Sequence, residues 1–248
     1  NIKIYHQPIE NHTYVCVADV SRGKGLDYSA FQILDVTSVP YKQVCVFRDN
    51  LITPIDYADI IHRCIKMYND AYVLIEINDI GEQVSDLLHY EFEVEQLLFT
   101  ESAGRSGKRI SGGFGKAADK GIRTTKSVKA VGCNMLKLMV EQDKLIISDF
   151  NTINELSTFS RKGVSYEAES GCHDDLVMCL VLFSWLTDQT FFKDITNIDT
   201  MTLLKEKSQQ QLDDHLLPLG FNNNNDDIFV NDDTDFNKWF NYDISDHH

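Results

Sequence analysis

Four acidic residues stand where a carboxylate is costly. Asp19 closes the apolar run Tyr14-Val15-Cys16-Val17-Ala18, and Glu76 closes Ala71-Tyr72-Val73-Leu74-Ile75. Asp174 and Asp175 open the apolar run from Leu176 to Phe183. A carboxylate at the end of a buried element loses water, and beside a second carboxylate it is also repelled. A divalent cation offsets both penalties, so the pattern points to a metal-binding carboxylate cluster and to metal-dependent phosphoryl transfer or hydrolysis. Two ions about 4 Å apart would divide the work, one activating water and the other stabilising the leaving oxygen, with Asp19 as the expected bridge. Each acid has a plainer reading too. Asp19 is also a turn former, and Asp174 or Asp175 a helix cap and dipole partner. A glutamate closing an apolar strand has no such ordinary purpose. Asp27 is open between a turn residue and an outer-sphere metal partner, and His173 between a ligand, a proton shuttle and a capping or surface histidine.

The elements that must carry these residues are legible from periodicity. Tyr14 to Val20, Ser29 to Val36 and Gln43 to Phe47 read as strands with short connections, as in an antiparallel meander. Pro54 to about Tyr68 reads as an amphipathic helix capped by Thr53, with Ile60, Ile61, Cys64, Ile65 and Tyr68 inward. Ala71 to Ile77 is a continuous apolar run, expected at the parallel centre of a mixed sheet. Gly81 to His89 is expected helical and Phe92 to Leu98 a further strand. The glycine-rich segment Gly104 to Gly115 is expected to be a mobile loop or hairpin. Thr124 to Gln142 reads as a helix with Val128, Val131, Met135, Leu138 and Met139 inward. Leu145 to Ile147 is expected as a short strand, Asn151 to Ser160 as helical and Gly163 to Tyr166 as extended. Asp174 to Leu186 is expected to be a strongly apolar helix.

The 248 residues, 43% hydrophobic, suffice for a substantial core. No apolar stretch approaches the ~20 residues of a membrane span, and the chain opens without a signal-peptide pattern. It starts at Asn1 and enters a folded segment at once, which suggests an excised domain with an N-terminal partner. Six cysteines without a C-x-x-C pair read as reduced thiols in a reducing compartment. The net charge of -15 opposes nucleic-acid binding, but its distribution does not. Arg105, Lys108, Arg109, Lys116, Lys120, Arg123, Lys126 and Lys129 share the stretch from Gly104 to Lys129 with Asp119 alone, a local charge of +7. Such a patch is an electrostatic footprint for a polyanion. Gly107-Lys108 and Gly115-Lys116 are not P-loops: no Ser or Thr follows and no glycine stands five positions earlier. No ATPase site is therefore expected. Beyond about Asp194 the chain turns polar, with nine Asp and one Lys between Asp213 and Asp246, and residues 196–248 read as a largely disordered acidic tail. Phe229, Phe236, Trp239, Phe240 and Tyr242 could form a docking motif within it.

Four segments in this order, VADVSRGKGLDYSAF, VLIEIND, GIRTTKSVK and GCHDDLVMCLVLF, resemble the nuclease domain of the large terminase subunit of tailed phages, most nearly the T-even type. The likeness spans residues 1–195. It implies an α/β, ribonuclease H-like fold with a mixed five-stranded sheet flanked by helices. It implies an endonuclease that cuts concatemeric viral DNA during genome packaging, using Mg²⁺ or Mn²⁺, two ions being expected. By position the acidic triad falls on Asp19, Glu76 and the Asp174-Asp175 pair, with Asp175 favoured. Arg105, Lys108, Arg109, Lys116, Arg123, Lys126 and Lys129 would grip double-stranded DNA through its phosphates, with little sequence preference. The implied partners are the packaging ATPase domain of the full-length chain, the portal and the small terminase subunit, in the host cytoplasm and without a membrane. The rival readings are another ribonuclease H-like nuclease, such as a junction resolvase or transposase core, and a non-catalytic docking module of a packaging motor.

Overall fold

A computed structural model describes residues 1–25, 27–102, 108–111, 118–163 and 165–196. The expected acidic tail, and Arg105 and Lys116 of the basic stretch, lie outside the described residues. The central sheet is built from β1 (Ile2–Ile4), β2 (Tyr14–Asp19), β3 (Ser29–Asp35), β4 (Tyr41–Asp49) and β5 (Tyr72–Ile75), in the order β1-β4-β3-β2-β5. Strands β2, β3 and β4 form the expected antiparallel meander, and β5 lies parallel to β2. Strand β1 was not anticipated: its three residues are all exposed, so no burial pattern marks them, and they join the edge of β4.

Helix α1 (Pro54–Met67) returns the chain between β4 and β5 and starts where expected, Asp56 N donating to the Thr53 side chain. Beyond β5 come α2 (Gly81–Asp86), a π-helical turn (Leu87–Glu91) and the hairpin β6 (Phe99–Ser102) and β7 (Lys108–Ser111). Residues 92–98 are therefore not the expected strand. They are extended only in part, with one parallel bridge from Leu97 to Val73, and pairing begins at Phe99. Helix α3 (Lys126–Glu141), β8 (Leu145–Ile146, parallel to the start of β4), α4 (Phe150–Thr158), the hairpin β9 (Phe159–Lys162) and β10 (Ser165–Ala168), α5 (Asp175–Thr187) and α6 (Thr190–Thr196) complete the fold.

Both faces of the sheet are covered, so its strands are apolar throughout. Val15, Val17, Ala30, Leu34 and Leu74 pack under α3 and α5, while Cys16, Ala18, Phe31, Ile33, Val73 and Ile75 pack under α1 and α2. Helix α5 is buried on every side apart from its C-terminal end, which explains its uniformly apolar sequence. Among the described residues no single helix is long and apolar enough to cross a membrane. Helix α3 is rotated from the expected phase. Val131 and Leu138 are exposed, whereas Val128, Gly132, Cys133, Leu136 and Met139 are buried. The cause is Gly132: a Cβ there would stand 2.3 Å from the Val181 carbonyl oxygen, so α3 meets α5 backbone to backbone at a residue that hydrophobic periodicity does not register.

Candidate active site

Strands β2 and β5 run side by side, Val17 beside Leu74 and Ala18 beside Ile75, and both end at one edge of the sheet. The next step brings Asp19 and Glu76 together, tied by Glu76 N donating to the Ala18 carbonyl at 2.9 Å. Side chains alternate along a strand. Val17 and Leu74 face α5, so Asp19 and Glu76 face it too. Asn78 Nδ2 donates to Glu76 Oε1 at 2.7 Å and fixes that carboxylate. Burial first, then the charge of Glu76 and a hydrogen bond shared with it, then Asp175, hold the Asp19 carboxyl well above the usual range, although the residue keeps some exposed surface.

Asp175 enters from the other side on the first turn of α5. Tyr28 N donates to its Oδ1 at 3.2 Å, while its Oδ2 is buried and accepts no hydrogen bond. Arg48 Nη2 and His173 Nδ1 are each 3.8 Å from that oxygen. Burial pushes the Asp175 carboxyl up to about 6, against the lowering pull of the Tyr28 hydrogen bond, Arg48 and His173. Asp174 occupies the cap position of α5 but makes no capping hydrogen bond, so the capping explanation fails for it. Its Oδ2 lies 3.9 Å from Lys129 Nζ. A cavity of about 440 Å³ is lined by Asp19, Asp27, Asp79, Asp174 and Asp175 together with Arg22 and Lys24. Asp27 is exposed on its rim, and His173 sits edge-on to the Tyr28 ring at 4.9 Å.

Asp19 thus lines the cavity together with Asp174 and Asp175 and interacts with Glu76, which is not itself among the lining residues. Among the described residues no three acidic, histidine or cysteine side chains are close enough to enclose one ion. The donor set nevertheless suits a hard divalent cation: all-oxygen ligands from separate elements, crowded like charges, and one buried carboxylate oxygen that accepts no hydrogen bond.

Two residues that sequence reasoning passed over set the position of Asp175. Glu155 of α4 is buried, and its Oε2 accepts from Leu176 N at 2.8 Å and Val177 N at 3.2 Å, so it caps α5 from another helix. Arg48 lies 3.1 Å from Glu155 Oε1 and stacks 3.7 Å over the Tyr28 ring. The available signal was an acid in the helical segment FNTINELST at a position shared with the buried Thr152.

The basic stretch is less bare in space than in sequence. Lys108 pairs with Asp119, but Arg109 pairs with Glu101, Lys120 with Asp86 and Arg123 with Glu82, three acids outside the stretch. Lys129 reaches the carboxylate site itself, through Asp174, and Lys126 is exposed in the first turn of α3.

A mixed five-strand path with helices on both faces and acids at the ends of its adjacent parallel strands, β2 and the terminal β5, defines the ribonuclease H-like class. The family model for the terminase RNaseH-like domain matches residues 17–185, more than half of the sequence. The chain belongs to that family. The large terminase nuclease of thermophilic phage G20c, in a structure with bound magnesium, is similar at 21% identity over 74% of this chain and 86% of its own, with a TM-score of 0.55. A structure of the same phage nuclease with bound cobalt gives 20% identity, the same coverages and a TM-score of 0.55. The large terminase nuclease domain of Thermus phage P74-26 is 22% identical over 73% of this chain and 83% of its own, with a TM-score of 0.52. At these identities the likeness establishes the fold.

Proposed function

We propose that this chain is the DNA-cutting domain of a phage packaging terminase, a divalent-metal-dependent endonuclease that cleaves concatemeric viral DNA with little sequence preference. The observation that carries this reading is the meeting of Asp19 and Glu76 at the ends of adjacent parallel strands, facing the buried, partly unsatisfied Asp175. Asp19, Glu76 and Asp175, with Asp174 beside them, would hold Mg²⁺ or Mn²⁺, two ions in the fullest form. Bound there, the metal supplies an activated water and neutralises charge on the leaving oxygen. The protein's own contribution is placement. Asn78 orients Glu76, Glu155 holds the start of α5, and Tyr28 N orients one oxygen of Asp175. Lys126 and Lys129 near the site, with Lys108, Arg109 and Arg123, and with Arg105 and Lys116 outside the described residues, would contact phosphates. In the full machine this domain, residues 1–195, would work in the host cytoplasm with a packaging ATPase domain, the portal and the small terminase subunit, and the acidic tail would follow it.

The test is incubation of the purified chain with supercoiled plasmid and Mg²⁺ or Mn²⁺, beside an EDTA control and Glu76→Ala. Nicking and linearisation that vanish in both controls are expected. Cleavage that survives Glu76→Ala would dismiss the site. Intact plasmid with either metal would favour the docking-module reading, and preference for four-way junctions over linear duplex would favour a resolvase.

A further inference from the structure

The cavity beside the carboxylates is bounded by five acids and two cations, and both cations lie on the β2–β3 loop. A phosphodiester approaching Asp19 and Asp175 crosses an otherwise negative rim, so the placement of these cations matters. The loop is not loose. Gly23 has φ +66°, and a Cβ there would stand 2.4 Å from the Ile52 carbonyl oxygen, so the turn is seated against the β4–α1 connection. Gly25 N donates to the Asn50 carbonyl at 2.9 Å. Arg22 leaves this seated turn and crosses to Asp79, which follows β5 three residues after Glu76. Its Nε donates to one Asp79 oxygen and one Nη to the other, a bidentate fork. The fork uses one edge of the guanidinium. The second Nη and the outer N–H groups point away from that edge, and a guanidinium binds phosphate with the same planar donors it offers a carboxylate. Both side chains are more than half exposed, so the pair has little to gain as a structural strap.

We propose that Arg22 is a phosphate-contacting residue for a DNA strand entering the carboxylate site, and that Asp79 is its positioning residue. This rests on the reading of the chain as a DNA-cutting enzyme and adds a residue outside the basic stretch to its substrate contacts.

Anisotropy of a fluorescein-labelled duplex, titrated with the full chain in EDTA across a NaCl series, tests this. The variants are Arg22→Ala, Arg22→Lys and Asp79→Asn, each checked for an unaltered melting temperature. Arg22→Ala is expected to weaken binding several-fold and to reduce the slope of log K against log salt by about 0.9, the loss of one phosphate contact. Arg22→Lys and Asp79→Asn keep the positive charge, so they should keep the slope while raising KM for plasmid cleavage in Mg²⁺. A wild-type slope in Arg22→Ala, with cleavage intact, would overturn the proposal and leave the nuclease standing. Equal loss of melting temperature in Arg22→Ala and Asp79→Asn, without change in slope, would reduce the pair to a strap and overturn it as well. Wild-type protein that neither binds nor cuts DNA would remove the enzyme reading and this inference together.

Discussion

Gln43 and Asp175 both belong to polar groups buried near helix α5, and the two groups are built in opposite ways. Gln43 Oε1 accepts from Ser148 N at 2.8 Å and Asp149 N at 2.7 Å, and its Nε2 donates to Gln32 Oε1 at 2.8 Å and Thr152 Oγ1 at 3.2 Å. Gln32 in turn donates to the Leu176 carbonyl at 2.8 Å. Asp149 Oδ1 accepts from Lys3 Nζ at 2.7 Å and Tyr5 OH at 2.6 Å, and its Oδ2 accepts from Thr152 N at 2.8 Å. At the other group Asp19 and Glu76 share one hydrogen bond between two acids, and Asp175 Oδ2 has none. A completed polar network specifies and rigidifies a fold, whereas an incomplete one is destabilising by itself. The first group joins β3, β4, α4 and α5, and the second, under the proposed function, would be completed by a cation.

The largest effects should separate the two groups cleanly. Asp19→Asn should reduce plasmid cleavage by more than about 100-fold, beyond the cost usual for a residue that merely supports a metal ligand. In EDTA the same variant should melt at or above the wild-type temperature, because its amide can donate to Glu76 and cannot ionise beside it. It should also lose the stabilisation that Mg²⁺ gives the wild type by mass action. Gln43→Ala should do the reverse. It leaves several buried partners unsatisfied and should lower stability by about 2–4 kcal/mol in urea titrations, while cleavage persists below its melting temperature. A Gln43→Ala enzyme that is stable and inactive would break the comparison.

The acids of the two groups should also separate along the pH axis. Burial pushes Glu155 up to about 7, with Arg48 and the Val177 and Leu176 N–H groups pulling the other way, and Asp175 is pushed to about 6. A raised carboxyl binds its proton more tightly folded than unfolded. Its contribution is complete below the unfolded value of about 4.5 and is lost as pH rises through about 7, for Glu155 on the order of 3 kcal/mol. Asp149 behaves oppositely. Burial raises it, but hydrogen bonds from Lys3, Tyr5 and Thr152 outweigh burial and hold it below its ordinary value. Its stabilisation is present at neutral pH and is lost only as pH falls below the ordinary carboxylate range. Urea midpoints in EDTA should therefore decline between about pH 4.5 and pH 7, the Glu155 window, and Glu155→Gln should flatten that decline. An unchanged decline in Glu155→Gln would remove Glu155 from the account.

What was readable in the sequence follows from the same physics. The runs ending at Asp19 and Glu76 announced themselves because strands covered on both faces are apolar at every position, so an acid at the end stands out. Helix α5 was visible for the same reason. Helix α3 was found but turned wrongly, because Gly132 makes its closest contact with no side chain at all. Residues 92–98 have strand composition, but the π-helical turn before them and a single bridge at Leu97 leave pairing to begin at Phe99. Arg48 and Glu155 escaped notice because a lone charge within a mixed segment resembles a surface residue until its partner, 107 positions away, is known. The acids that temper the basic stretch escaped likewise: Glu82, Asp86 and Glu101 reach it through space.

The smallest expected effect examines redundancy in the completed group. Lys3 is about half exposed at its side chain, while Asp149 is fully buried. An ion pair open to solvent on one side contributes little, and Asp149 keeps Tyr5 and Thr152 when Lys3 is removed. Lys3→Ala should therefore lower stability by less than about 1 kcal/mol. The contrasting change is Tyr5→Phe, which takes away a hydroxyl from the same carboxylate oxygen and should cost about 1–3 kcal/mol, as expected for a hydrogen bond to a charged group. If Lys3→Ala proved the more damaging of the two, the completed group would depend on its charge rather than on its hydrogen bonds. The distinction between a region finished by the protein and a region awaiting a cation would then weaken, since both would hold acids that need a positive partner. If the order holds, Asp149 is secured by neutral donors within the fold, and the buried acids that need an outside cation are those around Asp175.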